Sequence, residues 1–285
     1  MSNYTNETNK INNKNNNKNN NKPNNKTNNI SKITKAFQGE KAFIGFLTAG
    51  DPNKEKTVEY VLAMAEAGAD IVEIGIPFSD PIAEGPVIQE ANTRALSKNL
   101  NTDDVFDIVK EIRKKTDIPL AFLTYINPIF YYGYEKFFKK CKEVDVNGII
   151  IPDLPFEEKN EIKEITEKYY VDLISLIAPT SKDRIKMIAK ESTGFIYLVS
   201  SMGVTGIRNE IKTDLKEIID EIRAVSNTPV AIGFGINTPE QVKKISQIGE
   251  GAIVGSAIVK IIAEYGVNAK KPIIDYVSKM KKATK

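Results

Sequence analysis

The sequence contains no histidine and no tryptophan, and its single cysteine is Cys141. Without imidazole the chain has neither Ser-His-Asp nor Cys-His machinery and no histidine-ligated metal. One cysteine permits no intrachain disulfide and no cysteine-based metal cluster. We therefore expect no metal site, and proton transfer falls to aspartate, glutamate, tyrosine or lysine. A reducing, cytoplasmic compartment fits this cysteine usage best.

Long apolar runs are also missing. No stretch approaches the roughly 20 apolar residues of a membrane span, and the N-terminus has no apolar segment of the kind a secretory signal needs. The 285 residues are 41% hydrophobic and 27% charged, which is enough for a large core. An α/β barrel of about 250 residues forms one domain, so length allows one or two domains and composition favours one.

Residues 1–29 consist mainly of asparagine and lysine, and we expect a disordered tail in front of a domain that spans residues 30–285. Five lysines and one glutamate give the tail a formal charge of +4, against +3 for the whole chain. Weak attraction to polyanions is the alternative role for the tail. The remainder is then near −1, and it suggests no nucleic-acid surface.

From residue 41 onward, apolar runs rich in β-branched residues alternate with amphipathic stretches of helical period. Strands that are buried on both faces read as continuous apolar runs, so eight of them, each followed by a helix, predict a closed (β/α)₈ TIM barrel. A doubly wound open sheet is the alternative. The predicted strands lie at residues 43–47, 71–75, 120–124, 148–152, 173–177, 195–199, 229–233 and 252–254.

Glu73 is the anomaly of the second predicted strand, which otherwise holds isoleucine, valine and glycine. A buried charge costs several kcal/mol unless it is paired or used, and burial raises the pKa of a carboxyl toward the range of an acid/base catalyst. The alternative is a glutamate satisfied by backbone donors or a lysine. The following loop carries Asp80 and Glu84, and Asp153 follows strand 4; each could serve acid/base chemistry or merely be solvated or capping.

Glycine turns follow the last three predicted strands, in residues 203–206, 233–236 and 255–256. Glycines let backbone N–H groups approach an anion, and a helix N-terminus adds its dipole. Three such turns at the active end of one barrel predict a phosphate site, although glycines serving tight turns alone would look the same.

The segment IGIPFSDPIAEGPVIQ at residues 74–89 resembles the signature of the tryptophan synthase alpha chain family. Further segments agree in the same order, from FLTAGDP at residues 46–52 and TYINP at 124–128 to YLVSSMGVTG at 197–206 and GSAIVKII at 255–262. The resemblance spans roughly residues 30–282. It implies a TIM-barrel lyase that cleaves indole-3-glycerol phosphate to indole and glyceraldehyde 3-phosphate by a retro-aldol reaction.

The resemblance also implies roles for individual residues. Glu73 matches the acid/base, Glu84 the second carboxylate, which faces the indole N–H, and Tyr197 a polar aromatic near the reacting centre. The implied substrate-binding residues are the loop residue Thr205, the phosphate cradle of Gly206, Gly235, Gly255 and Ser256, and the indole-flanking Phe46, Leu123 and Ile150. One departure stands out, because the family pattern has aspartate at the position of Glu84.

A partner is implied as well. Family members pair with a beta chain that carries pyridoxal phosphate and assemble as α₂β₂, whereas the alpha chain needs no cofactor of its own. Residues 80–81, 153–155 and 201–208 match the contact and closing loops. Two other functions stay open at this point: a weakly catalytic subunit that docks on and activates a beta chain, and another phosphate-binding barrel enzyme.

Overall fold

The computed structural model describes residues 30–179, 184–200, 211–233 and 235–285. The predicted disordered tail at residues 1–29 lies outside these ranges, so its boundary stays a prediction. Eight parallel strands close into a barrel in chain order, which confirms the TIM barrel and excludes the open sheet. The strands are β1 Ala42–Thr48, β2 Ile71–Gly75, β3 Leu120–Leu123, β4 Gly148–Ile150, β5 Asp172–Ile177, β6 Ile196–Val199, β7 Val230–Gly233 and β8 Gly251–Val254.

Helices surround this barrel and join its strands. In the described part of the chain they are α1 Lys32–Lys35, α2 Lys54–Glu66, α3 Pro86–Leu96, α4 Thr102–Arg113, α5 Ile126–Tyr132, α6 Tyr134–Glu143, α7 Asn160–Lys168, α8 Ile185–Lys190, α9 Ile211–Arg223, α10 Pro239–Ser246, α11 Ser256–Tyr265 and α12 Lys270–Lys282. None of these helices is long and apolar enough to cross a membrane.

Each strand was predicted within one or two residues of its observed bounds, but the segment after β2 differs from the prediction. Three prolines and two glycines within residues 71–89 predict one long loop after β2, whereas the loop ends at Gly85 and α3 begins at Pro86. Proline suits the first position of a helix, where no intrahelical partner awaits its missing N–H. The short helices α1 and α5 carry too few residues for a clear helical period and were not predicted.

Alternate residues of each strand point into the barrel or toward the helices. The inward residues of the lower barrel form one apolar cluster with Ile33 of α1: Ile44, Ile71, Ala121, Ile150, Ile174, Phe195, Ala231 and Ile253. The outward residues pack with the helices into a second, larger cluster that includes Phe106, Phe122 and Phe137. Apolar packing therefore fills the lower barrel, and open space is left at the carboxyl ends of the strands.

Helix α1 plugs the amino end of the barrel. Ile33 is fully buried, and the ring of Phe37 lies 5.6 Å from that of Phe195, centroid to centroid. Gly251, at the start of β8, makes room for this plug, because a Cβ there would lie 2.9 Å from Phe37. Ser31 caps α1 by accepting a hydrogen bond from the Thr34 N–H at 3.1 Å.

We predict that Ile33→Ala lowers the free energy of unfolding by about 2–5 kcal/mol, because it leaves a cavity in the packed floor of the barrel. Urea unfolding of the purified chain measures this change. Ile30→Ala is the matched control, since Ile30 is 44% exposed and its loss should change stability by less than about 0.5 kcal/mol. Equal unfolding midpoints for Ile33→Ala and wild type would show that α1 does not close the barrel.

Candidate active site

A cavity of about 720 Å³ opens at the carboxyl ends of the strands. Its wall combines apolar side chains with two carboxylates and several glycines. Most of the residues predicted for the site lie on it together: Phe46, Glu73, Glu84, Leu123, Tyr197, Gly235, Gly255 and Ser256. Its size lies within the range of cavities that bind small molecules.

Glu73 lies inside β2, paired in register with Phe46 of β1 and Ala121 of β3. It is 1% exposed, and no described residue donates a hydrogen bond to its Oε1. Burial raises the pKa of this carboxyl from 4.5 to about 8. The alternative prediction, a glutamate satisfied by backbone donors or a lysine, finds no such partner among the described residues. Glu73 is therefore a protonated acid on the cavity wall.

Tyr197 stands beside Glu73 because glycines leave room for its ring. A Cβ at Gly233 would lie 2.5 Å from the Tyr197 hydroxyl oxygen. Phe46 is accommodated in the same way, since a Cβ at Gly75 would lie 2.7 Å from its Cζ. Burial and the nearby Glu73 carboxyl both raise the pKa of Tyr197, which therefore keeps its proton as a potential hydrogen-bond donor.

Glu84 approaches the cavity from the loop between β2 and α3, where it is half-buried. The Tyr125 hydroxyl donates a hydrogen bond to its Oε2 and accepts one from the Ala83 N–H at 2.9 Å. Desolvation raises the pKa of Glu84, the Tyr125 hydrogen bond opposes that rise, and the charge of Asp153 adds to it. The two carboxylates therefore sit in different surroundings, Glu73 in an apolar strand and Glu84 beside a hydroxyl donor.

The other two acids singled out in the sequence do not line the cavity. Asp153 accepts a hydrogen bond from the Ile126 N–H at 2.9 Å, which holds the start of α5. Asp80 is exposed and accepts a hydrogen bond from Ser79. Asp153 thus has the capping role that the sequence left open, and Asp80 lies at the surface.

The predicted phosphate cradle is partly described. Gly235 has φ +78°, and Gly255 precedes α11 without a side-chain cap, so the first N–H groups of that helix are available to an anion. Ser256 begins α11 and is exposed toward solvent. Thr205 and Gly206 lie outside the described residues. Lys260, one turn further along α11, is the one cationic side chain among the described residues of the wall.

Ile150, predicted to flank the indole, is not among the described residues of the cavity wall. It is fully buried in the apolar cluster below, whereas Leu123 does reach the cavity. Leu176 of β5 stands on the wall beside Tyr197, its register partner on β6. Strand alternation could have identified Leu176 as inward, but it does not give depth along the barrel axis.

Sequence reasoning also missed Tyr125, Lys260 and Tyr276. Lys260 lies four residues after Ser256, so a helical period would have placed it on the same face. Tyr276 of α12 lines the cavity and donates a hydrogen bond to the Asn237 carbonyl at 2.9 Å. Tyr125 lies in the TYINP segment but was given no role there, and no local pattern marked Tyr276. Each reaches the site through contacts that are distant in sequence.

Comparison with known proteins gives one consistent family. The family model of the tryptophan synthase alpha chain matches residues 33–285. A tryptophan synthase alpha chain from Lacticaseibacillus casei is 53% identical over 235 residues, which cover 82% of this chain and 88% of the relative. One from Lactiplantibacillus plantarum is 49% identical over 255 residues, covering 89% and 96%.

Solved structures agree with these relatives. Tryptophan synthase subunit alpha from Legionella pneumophila superposes with a TM-score of 0.82 at 34% identity, covering 90% of this chain and 98% of that one. A chain from the tryptophan synthase α₂β₂ complex of Pyrococcus furiosus gives 0.79 at 38% identity, covering 85% and 99%. Family match, relatives and fold coincide over nearly all of the described residues, and the chain belongs to the tryptophan synthase alpha chain family.

Proposed function

We propose that this chain cleaves indole-3-glycerol phosphate with Glu73 and Glu84 as its two functional carboxylates. As a member of its family it is a carbon–carbon lyase, the alpha subunit of tryptophan synthase in L-tryptophan biosynthesis. The products are indole and glyceraldehyde 3-phosphate. The observation that carries the proposal is the Glu73 carboxyl, which lies on the cavity wall with no described donor to its Oε1.

Glu73 can move both protons that the retro-aldol reaction requires. As an acid it donates a proton to C3 of the indole, and the resulting carboxylate accepts the side-chain hydroxyl proton while the bond from C3 to the side chain breaks. The electrons of that bond return to the ring, and Glu73 ends the cycle protonated, so no net proton is consumed. A pKa of about 8 supports this sequence, because the acid form prevails at neutral pH.

Glu84 complements this chemistry from the loop that follows β2. Protonation at C3 places positive charge on the ring nitrogen, and a carboxylate that accepts a hydrogen bond from the ring N–H stabilises that charge as it develops. Phe46 and Leu123 offer apolar surface for the ring. Tyr197 offers a protonated hydroxyl next to Glu73.

The phosphate would lie at the start of α11, where Gly235, Gly255 and Ser256 offer backbone N–H groups and a hydroxyl. Lys260 adds a positive charge on the same helix face. We assign Thr205 and Gly206 to the same substrate by resemblance alone. No cofactor enters these steps; pyridoxal phosphate belongs to the beta chain in this proposal. A cytoplasmic location suits the buried, unpaired thiol of Cys141.

Glu73→Gln should lower kcat for indole release by at least about 100-fold, since it removes the acid/base while keeping the shape of the side chain. The assay is indole formation from indole-3-glycerol phosphate, with and without a beta chain. Glu66→Gln, an exposed glutamate at the end of α2, is the matched control and should match wild type.

Retained activity in Glu73→Gln would remove Glu73 from the mechanism. If wild type itself releases no indole even with its partner, the alternative of a docking and activating subunit replaces the lyase. A panel of other phosphorylated substrates then tests the remaining hypothesis, that the chain is another phosphate-binding barrel enzyme.

The raised pKa of Glu73 also makes stability depend on pH. Between its ordinary value of 4.5 and about 8, the folded chain binds a proton that the unfolded chain has lost. The free energy of unfolding therefore falls as pH rises through this window, by about 1 kcal/mol per pH unit for one full proton. Glu73→Gln cannot ionise, so its stability relative to wild type should increase from pH 5 to pH 8.

Urea unfolding at several pH values tests this prediction, because all other ionisable groups cancel in the difference between the two proteins. Glu66→Gln should run parallel to wild type. A constant difference between Glu73→Gln and wild type from pH 5 to pH 8 would mean that the carboxyl titrates normally.

The beta chain is the partner of this subunit, as in the α₂β₂ complex of the Pyrococcus furiosus structure. Large apolar side chains are exposed on the same end of the barrel as the cavity. Ile82 in the loop after β2 is 79% exposed, and Phe130 and Tyr131 on α5 are 68% and 93% exposed. We assign these three residues, the mouth patch, to beta-chain contact, since apolar side chains left in water favour burial in an interface.

Tyr131→Ala should weaken binding to a beta chain by about tenfold or more, because buried aromatic anchors dominate interface energies. It should leave basal indole release unchanged. Titration calorimetry with a beta chain measures the affinity. Tyr170→Ala is the matched control, since Tyr170 is 80% exposed between α7 and β5 at the opposite end of the barrel. Equal losses in both variants would contradict the assignment.

A further inference from the structure

We propose that Tyr125 is a positioning residue that fixes the Glu84 carboxylate for the substrate, and that the chain depends on it because Glu84 has a longer arm than aspartate. This inference rests on the proposed function and adds a residue to it. It concerns the site of Glu84 alone and leaves the role of Glu73 unchanged.

One hydroxyl group organises two consecutive residues of the loop. The Tyr125 hydroxyl donates to Glu84 Oε2 and accepts from the Ala83 N–H at 2.9 Å. A phenol that donates and accepts at once has its proton direction fixed by the accepted bond. The backbone of the loop and the carboxylate are therefore held by the same atom, the backbone at Ala83 and the side chain at Glu84.

Tyr125 itself is held in place from three sides. It is 2% exposed and lies between the end of β3 and the start of α5. Its ring centroid lies 5.3 Å from that of Phe78. The next residue, Ile126, donates its N–H to Asp153 Oδ1 at 2.9 Å, which ties this junction to the loop after β4. The hydroxyl is thus presented by a buried residue at the junction of β3 and α5.

The length of Glu84 explains why such a hold is needed. Glutamate has one more rotatable bond than aspartate, and a half-buried side chain on a loop would exchange among several rotamers. The Tyr125 hydrogen bond selects one of them by engaging Oε2. The second oxygen, Oε1, then has a defined position from which to accept the indole N–H.

The same hydrogen bond maintains the charge that Glu84 needs. Desolvation and the Asp153 carboxylate raise the pKa of Glu84, and the bond from Tyr125 is the described side-chain interaction that lowers it. An acceptor for a developing positive charge must be ionised. The hydrogen bond from Tyr125 therefore supports both the position and the charge of the Glu84 carboxylate.

The test is a double-mutant cycle on indole release with Tyr125→Phe and Glu84→Asp. Tyr125→Phe keeps the ring and its contact with Phe78 but removes the hydroxyl, and kcat should fall about 10- to 100-fold with a smaller change in KM. Glu84→Asp should also lose activity, although it restores the residue of the family pattern. The two losses should not multiply, because both break the same hydrogen bond.

Tyr132→Phe is the matched control. Tyr132 ends α5, the helix that follows Tyr125, and its hydroxyl donates to Asp103 Oδ1 at 2.5 Å, away from the cavity wall. The loss of this phenol–carboxylate bond should leave kcat within about twofold of wild type. Circular dichroism of each variant confirms that the fold is kept.

A carbon-13 titration of the glutamate side chains supplies a readout that does not need activity. Tyr125→Phe should raise the pKa of Glu84, whereas Tyr132→Phe should not. An unchanged Glu84 pKa, wild-type kcat in Tyr125→Phe, or fully multiplicative losses would each overturn the inference. Absence of indole release by wild type would instead count against the proposed function, and the titration would still decide whether Tyr125 holds Glu84.

Discussion

The structure depends on holding one carboxyl group, that of Glu73, in a strand that is buried on both sides. Closing eight parallel strands into a barrel removes water from their inner faces, so an acid placed there meets an apolar wall. Glu73 is kept neutral by protonation and not by a counter-ion, since the described residues offer no donor to its Oε1. The barrel thus supplies a neutral acid at neutral pH without any histidine.

The shape of the substrate cavity around this acid depends on glycines that leave room for aromatic rings. Tyr197 fills the volume that a side chain at Gly233 would occupy, and Phe46 does the same at Gly75. Each ring lies close to a glycine on a neighbouring strand, and both rings line the cavity. Gly233, which the sequence marked as part of an anion site or a turn, therefore also serves packing.

Sequence reasoning identified the parts of this site that depend on local pattern. The eight strands followed from apolar runs, and Glu73 and the glycines near Gly255 followed from their contrast with those runs. Ile150 and Leu176 show the limit, because register along a tilted strand decides which inward residue reaches the cavity. Tyr125 shows another, since its bond to Glu84 spans 41 positions of the chain and leaves no periodic signal.

The plug formed by α1 limits where substrate and products can enter and leave the barrel. Ile33 and Phe37 seal the amino end of the barrel, and the apolar cluster above them fills its lower half. As far as the described residues show, the cavity is therefore closed toward the amino end of the barrel. Within the described residues, the cavity opens at the carboxyl end of the barrel, the same end on which the mouth patch is exposed. A protein that docks on the mouth patch would therefore lie beside the end of the barrel through which both products leave the cavity.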